Sequence, residues 1–362
     1  MTSPASEASP PTGTTSAPHA AFTYQPALDG VRAIAIVTWA ALPASSSSHT
    51  TGIGAASIGL YFTNWLVIAR GNAPLGPFGH LWSLAIEEQF YLVWPIVVIA
   101  SVKLGSRRVG VFLAAVVGAA ASAIYRATLW QNAKTWGAGT ATAAERTEHV
   151  HDVGVYWYRS TLTRSDGLLI GCALAVVVVS LRGPTAARLR ARLQVLTGWD
   201  AQQLSRYARR LVAALGLLGA IVAEWIAWTN HHHVYPEFLI GPGFPLFEIA
   251  VGLVIVNLVI NVRGVMARVL AWKPLVWIGR RSYAIYVLHP VFILGLSALL
   301  VDTQPVRALA VGLSILFAGL SYRYYEAPIL RLKSRFGAGR ETPPAEVSTD
   351  GARLVGALRE ES

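Results

Sequence analysis

The sequence predicts an all-α fold, a polytopic bundle of transmembrane helices, and three observations predict it. First, 54% of the 362 residues are hydrophobic and only 14% are charged, whereas soluble domains average about 45–50% apolar and about 25% charged. Second, nine apolar stretches follow one another, at 28–42, 53–69, 82–102, 109–130, 165–181, 211–229, 239–262, 282–300 and 307–326. A membrane span needs about 20 mostly apolar residues, range about 17–25. Any one stretch could be the buried core helix of a soluble protein, but nine could not all be buried in a chain of this length. Third, Lys and Arg alternate between successive loops. The same composition excludes a disordered chain, which is poor in apolar residues and rich in charge. The single cysteine, Cys172, excludes a disulfide framework and any cysteine-based metal site.

Residues 1–25, rich in Ser, Thr, Pro and Ala, read as a disordered tail without the basic start and apolar core of a signal peptide. Residues 26–336 form the transmembrane domain, and 337–362 read as a polar cytoplasmic tail. The first, second and fifth stretches are short or interrupted for spans. The loops between stretches sort by charge. Lys103, Arg107 and Arg108 sit in one; Arg182, Arg188, Arg190, Arg192, Arg206, Arg209 and Arg210 in the next basic one. Arg263, Arg268, Lys273, Arg280 and Arg281 make the third, and Arg331, Lys333, Arg335 and Arg340 the fourth. Residues 126–166 are nearly neutral, and 230–238 and the link near Asp302 carry no Lys or Arg. This is the positive-inside pattern of a multi-pass protein of the plasma membrane. It puts 126–166 and 230–238 outside and the C-terminus in the cytoplasm. The net charge of +11 is then a topology signal; nucleic acid, which would need one continuous basic face, is not expected as a partner. Nine spans with the C-terminus inside leave the N-terminus outside.

Ionisable groups inside spans cost about 2.5–3.5 kcal/mol each on insertion scales, which makes them functional candidates. The densest cluster is His80-Leu-Trp-Ser-Leu-Ala-Ile-Glu87-Glu88-Gln89-Phe-Tyr91. Two adjacent carboxylates, a Gln and a His in one apolar stretch have no cheap structural explanation. Asp29 with Arg32, and Arg164 with Asp166, read equally well as structural pairs or as site residues. His289 before Pro290 reads equally as a ligand contact or as packing. Glu224 and Glu248 read as facing water or a partner. Arg280 and Arg281 read as positive-inside anchors. His231, His232 and His233 read as a solvated loop, because three adjacent histidines cannot all face one ion; no metal site is expected.

Five segments carry a family resemblance: Leu28-Asp-Gly-Val-Arg-Ala-Ile-Ala35, His80 to Pro95, Thr163-Arg-Ser-Asp-Gly-Leu-Leu-Ile-Gly171, Gly279-Arg-Arg-Ser-Tyr-Ala-Ile-Tyr-Val-Leu-His-Pro290 and Ser321-Tyr-Arg-Tyr-Tyr-Glu-Ala-Pro328. In this order, across roughly 300 residues, the chain resembles the acyltransferase-3 family of integral-membrane O-acyltransferases. The resemblance implies a ten-span bundle with both ends cytoplasmic. It implies transfer of an acyl group, usually acetyl, from acyl-CoA (acetyl-CoA) to a hydroxyl of a glycan, glycolipid or secreted metabolite, with no permanently bound cofactor. The expected partners are the lipid bilayer, the acyl-CoA donor and the hydroxylated acceptor. Such chemistry needs a general base for the hydroxyl proton and a cation or donor for the developing oxyanion. By motif position Arg32, His80, Glu87, Glu88 and His49 are the catalytic candidates. Asp29, Trp82, Ser83, Gln89, Tyr91, Arg164, Asp166, Ser282, Tyr283, His289 and Glu326 are the candidates for binding substrate or coenzyme.

The chain departs from the family in one region. The family pattern places a His eleven positions after the motif arginine, on the same helix face; eleven after Arg32 stands Pro43. The next histidine, His49, lies in a Ser/Thr-rich stretch, and the family's second span has no counterpart before Ile58-Gly-Leu-Tyr-Phe-Thr-Asn-Trp65. The odd span count points to the same missing helix around residues 40–57. Three functions therefore stand at this point. The first is an O-acyltransferase in which His49 or His80 substitutes as base. The second is an internally truncated, inactive relative that binds a hydroxylated ligand. The third is a small-solute transporter, which the lack of an internal repeat disfavours.

Overall fold

In a computed structural model, which describes residues 25–40, 50–71, 73–105, 107–181, 183–232, 238–300 and 303–328, the first apolar stretch folds as α1 (Pro26–Ala40). The expected tails at 1–25 and 337–362 lie outside the described residues apart from Gln25, and so does His49. Only eleven positions separate α1 from α2, which begins at Gly52, and about 20 residues are needed to span a bilayer. No second span fits there.

The stretch 53–69 is not one span. It forms two eight-residue helices, α2 (Gly52–Gly59) and α3 (Thr63–Arg70). Between them Tyr61 sits at φ 55°, a left-handed conformation that ends a helix. The Thr63 hydroxyl, donating to the Ser57 carbonyl at 3.1 Å, holds the corner. A 3₁₀ segment (Ala73–Leu81), kinked at Gly76 with φ 54°, then leads into α4 (Trp82–Lys103).

The remaining elements follow the apolar pattern. They are α5 (Arg107–Thr135), α6 (Ala143–Arg159), α7 (Thr161–Arg164), α8 (Asp166–Ser180), α9 (Pro184–Thr197) and α10 (Ala201–His232). A π-helical turn (Leu239–Gly243) precedes α11 (Phe244–Ile260), α12 (Val265–Leu270), α13 (Lys273–Gly279), α14 (Ser282–Leu299) and α15 (Gln304–Ser321), which ends in a second π-helical turn (Tyr322–Glu326). Among the described residues, six helices are long and apolar enough to cross a membrane, in place of the nine stretches; α8, with 15 residues, is the shorter apolar helix beside them. Residues 126–166 are not a loop. Their first part completes α5, and α6 follows behind a Thr142–Glu145 capping box. The Thr142 backbone N–H and hydroxyl both donate to the Glu145 carboxylate, which holds its pKa below the ordinary carboxylate range.

The outer face of the bundle is apolar, and its interior holds buried polar groups among an apolar core. Leu92, Ile96 and Ile99 of α4 and Leu217, Leu218 and Ile221 of α10 are each more than half exposed, while Asn64, Arg126, Thr163 and Asp166 are fully buried. A bilayer solvates the first set; the second must find its partners within the protein.

Three basic segments meet at one end. Gly183, just before α9, lies against the Arg108 guanidinium, and the Asn261 amide donates to the Arg209 carbonyl at 3.0 Å. The start of α5 thus neighbours the head of α9, and the start of α10 neighbours the end of α11, as charge alternation expects.

α1 is clamped against α12 and α13 by two glycines. A Cβ on Gly30 would drive into the Leu270 backbone carbonyl, and one on Gly279 into the Asp29 backbone carbonyl. These are backbone atoms that cannot yield cheaply. Gly279→Ala is expected to destabilise the protein by about 1–3 kcal/mol, the usual range for overpacking. Gly295→Ala, where the methyl meets open space, should leave the thermal midpoint of detergent-purified protein unchanged or higher, since Ala is the better helix former.

Candidate active site

Pro290 sits inside α14 and has no N–H, so the carbonyl four residues earlier, that of Tyr286, loses its helical partner. Two histidines take it up. His80 Nε2 lies 2.8 Å from the Tyr286 oxygen and His289 Nδ1 also 2.8 Å. A carbonyl only accepts, and it has two lone pairs, so both nitrogens carry hydrogens. In the neutral imidazoles the unprotonated nitrogens are then His80 Nδ1 and His289 Nε2. The two rings meet edge to face at 5.1 Å.

The Tyr286 side chain returns the contact. Its hydroxyl donates to the His80 carbonyl at 2.8 Å and receives the Ser83 hydroxyl at 2.5 Å. The 3₁₀ segment and the start of α4 are thereby fastened to α14. His80 Nδ1 is buried without a hydrogen-bond partner among the described residues. The Pro77 carbonyl stands near the ring as a second backbone acceptor.

The first motif joins this cluster through α1. Buried Asp29 is paired at 3.5 Å with both Arg32 and Arg280. Arg32 is 68% exposed, so its pairing with Asp29 is loose, and its charge lies within electrostatic range of Glu87 and Tyr91. One turn further along α1, Ile36 packs against Ile285 and Tyr286. Ser83, His80, Tyr286 and His289 thus form one hydrogen-bonded group drawn from two sequence motifs, with Glu87 one turn beyond Ser83 on α4 and Arg32 of the first motif within electrostatic range of Glu87. Glu88 stands beside Glu87, and neither forms a hydrogen bond or ion pair among the described residues.

The other expected site residues divide. Trp82 is core, packed with Leu66, Val67, Leu75 and Ile86. Gln89 is held in a network: its amide nitrogen donates to the Tyr61 carbonyl and to Asn64 Oδ1, and its oxygen receives the Thr161 hydroxyl. That network ties α3, α4 and α7. Tyr91 and Tyr283 are exposed, and Ser282 opens α14. The side chain of Glu326 lies outside the described residues; its backbone is in the second π-helical turn.

Asp166 and Arg164 are not a pair. Asp166 binds Arg126 at 2.7 Å, both fully buried, and Arg126 also donates to the carbonyls of Thr163 and Ile240. Arg164 instead lies over the Phe244 ring at 4.3 Å. Glu248, expected to face water or a partner, faces this cluster instead, its carboxylate against Gly167 and one oxygen buried. Sequence reasoning missed Arg126, which it counted with the loop, and Tyr286. Both left a signal: an Arg within an apolar run, and a residue four before a Pro in a span.

At the basic end a cleft of about 410 Å³ is lined by Lys273, Trp277, Arg280, Arg281 and Tyr322. Arg281 lies 4.0 Å over the Trp277 ring and 4.5 Å over that of Tyr322. Arg280 belongs to both places, lining the cleft and pairing with Asp29.

Residues 28–323 match the acyltransferase domain that defines the acyltransferase-3 family. A peptidoglycan O-acetyltransferase of Listeria monocytogenes is 31% identical over 281 residues, 74% of this chain and 39% of the relative. An O-acetyltransferase of Staphylococcus aureus is 26% identical over 280 residues, 74% of this chain and 40% of the relative. The chain thus spans about two fifths of the length of these relatives. No solved structure matches it.

The Arg126–Asp166 pair gives a direct test of what holds α5, α7 and α8 together. Removing one member of a buried pair strands the other charge, a loss of about 3–5 kcal/mol. Arg126→Leu should show that loss in unfolding midpoints, and the double variant Arg126→Leu/Asp166→Leu should recover much of it.

Proposed function

The chain belongs to the acyltransferase-3 family, and we propose that it is a plasma-membrane O-acetyltransferase. It moves an acetyl group from acetyl-CoA to a hydroxyl of a glycan. The observation that carries this reading is the cleft at the basic end, joined through Arg280 and Asp29 to Arg32 and the His80 group. A coenzyme A donor needs cations for its phosphates and flat apolar walls for its adenine. Lys273, Arg281, Trp277 and Tyr322 provide that chemistry, and about 410 Å³ falls in the usual range of about 300–1,000 Å³ for small-molecule sites. The relatives named as O-acetyltransferases, one of them for peptidoglycan, support acetyl as the group and a glycan as the acceptor. The basic end is the cytoplasmic end in this reading, which places the C-terminus inside.

His80 acts as the base in place of the histidine absent from α1. Its Nδ1 takes the proton of the attacking hydroxyl while the hydroxyl oxygen bonds to the thioester carbon. Arg32 stabilises the oxyanion. As the C–S bond breaks, the proton passes to the departing sulfur, and the products are the O-acetyl ester and the free coenzyme thiol. While cationic, the ring is held by the Tyr286 carbonyl and has that of Pro77 at hand.

A second reading rests on the eleven positions between α1 and α2: a shortened relative that binds acetyl-CoA or a glycan without turnover. Purified protein given acetyl-CoA and peptidoglycan fragments separates the two. Turnover releases free coenzyme thiol and adds acetyl to the glycan by mass spectrometry. Lys273→Ala should raise KM for acetyl-CoA by roughly tenfold, the worth of one charged hydrogen bond, with kcat little changed. His80→Gln should lower kcat by about 10²–10⁴, the usual contribution of a general base. Acetyl-CoA binding with no thiol released under any acceptor would overturn the enzyme reading in favour of the second. An unchanged kcat in His80→Gln would remove His80 from the mechanism.

A further inference from the structure

The link between α8 and α10 contains a helix with no role in the bundle or the site. α9 (Pro184–Thr197) has Ala186 as its one buried side chain among the described residues, and its other described positions are almost all exposed. Leu189, Leu193 and Leu196 recur at the i, i+4, i+7 spacing that lines one helix face, and Leu189 is 55% and Leu196 80% exposed. Arg190 and Arg192 flank that stripe, with Arg188 beyond Arg192. Arg190 donates to the Leu181 carbonyl at 2.6 Å, which fixes the helix to the end of α8. Just past the helix, Trp199 and Tyr207 stack at 4.4 Å, both exposed, and Arg206, Arg209 and Arg210 follow. Asp200 is the sole acid between 182 and 210.

We infer that α9 lies in the membrane surface at the basic end of the bundle and binds the anionic phospholipid headgroups of that leaflet. Three arguments select this occupant. An apolar stripe flanked by arginines, left largely uncovered by the described residues beyond Ala186, suits a helix whose Leu side rests on lipid while its Arg side faces the headgroups. Aromatic pairs with one wet edge collect at headgroup level. The excess of Arg over acid complements phosphate, and Arg stems lie along an apolar surface while the guanidinium reaches outward. The place is right as well, because Gly183 at the head of α9 lies against Arg108 in the first turn of α5. The helix therefore starts where two hairpins leave the bilayer.

The test uses the full chain with Cys172→Ser and Leu196→Cys, labelled with a fluorophore and reconstituted in vesicles of phosphatidylcholine with phosphatidylglycerol. Either lipid is brominated in turn. The inference expects quenching by both lipids, with brominated phosphatidylglycerol quenching beyond its mole fraction. Arg188→Gln/Arg192→Gln should cut that preference by about an order of magnitude, roughly fivefold per charge before screening. High salt should erase it in the unaltered chain, a control that stands even if the double variant folds poorly. Equal quenching by both lipids would overturn the anionic preference. No quenching by either, with a water-exposed label or with cross-linking between two copies, would overturn the lipid as occupant.

Discussion

A single backbone oxygen, the Tyr286 carbonyl, organises the middle of this molecule. Pro290 deprives it of a helical donor, and in a bilayer an unsatisfied carbonyl costs several kcal/mol. The protein satisfies it with two imidazole N–H groups from two different segments. This fixes the tautomer of each ring and therefore which nitrogens remain basic. It also fixes the position of the 3₁₀ segment, because the Tyr286 hydroxyl closes a second contact onto the His80 backbone. Structure and chemistry share the same atoms here: the hydrogen bond that repairs a proline defect also orients the proposed base.

The same constraint explains the other polar clusters. Gln89, Asn64 and Thr161 satisfy one another and the carbonyls at the α2–α3 corner and the end of α6, where the backbone turns and leaves groups without helical partners. Arg126 serves the carbonyls of Thr163 and Ile240, at the short α7 and at the π-helical turn. Both are places where regular helix is broken. Buried polar side chains thus gather at the irregularities of the backbone, and the expected functional residues are partly residues of this kind. Gln89 serves a broken backbone directly and Asp166 through Arg126, whereas among the described residues no carbonyl is hydrogen-bonded to Arg32 or Glu87, and His80 serves one with a single ring nitrogen.

Much of this was legible in the residues. Composition gave the helical class, and charge alternation gave an end of the bundle that the Gly183–Arg108 and Asn261–Arg209 contacts bring together. The motif order gave the family. What hydropathy alone could not resolve was the stretch 53–69, where mean apolarity is high but Tyr61 adopts a positive φ and divides it. Pairing was also beyond reach: proximity in sequence suggested Arg164 for Asp166, while the partner came from 40 residues earlier on α5. Neighbours along a helix start point in different directions, whereas a buried Arg reaches across helices. The cleft at 273–322 was invisible for a similar reason, since its two walls are separated by two helices in the chain.

The eleven positions between α1 and α2 bear on function through geometry. The histidine that the family pattern expects would continue α1 beyond Arg32, yet Pro43 occupies that position. The His80 group does not use that part of the chain. Its members come from the 3₁₀ segment, α4 and α14, and α1 contributes only through Asp29, Arg32 and Ile36, all within its described length. With Pro43 in place of that histidine, the contacts of the His80 group remain whole. Two basic nitrogens, on His80 and His289, remain there with their orientation already set. The enzyme reading then reduces to one geometric requirement: the path from the Lys273–Arg281 cleft past Asp29 must let a thioester, extended from a phosphate-anchored nucleotide, reach the His80 ring. Coenzyme A is built for such a distance, with a long flexible arm between its phosphates and its sulfur. In the proposed function, Lys273 and Arg281 hold the phosphates at one end of that path and His80 is the base at the other.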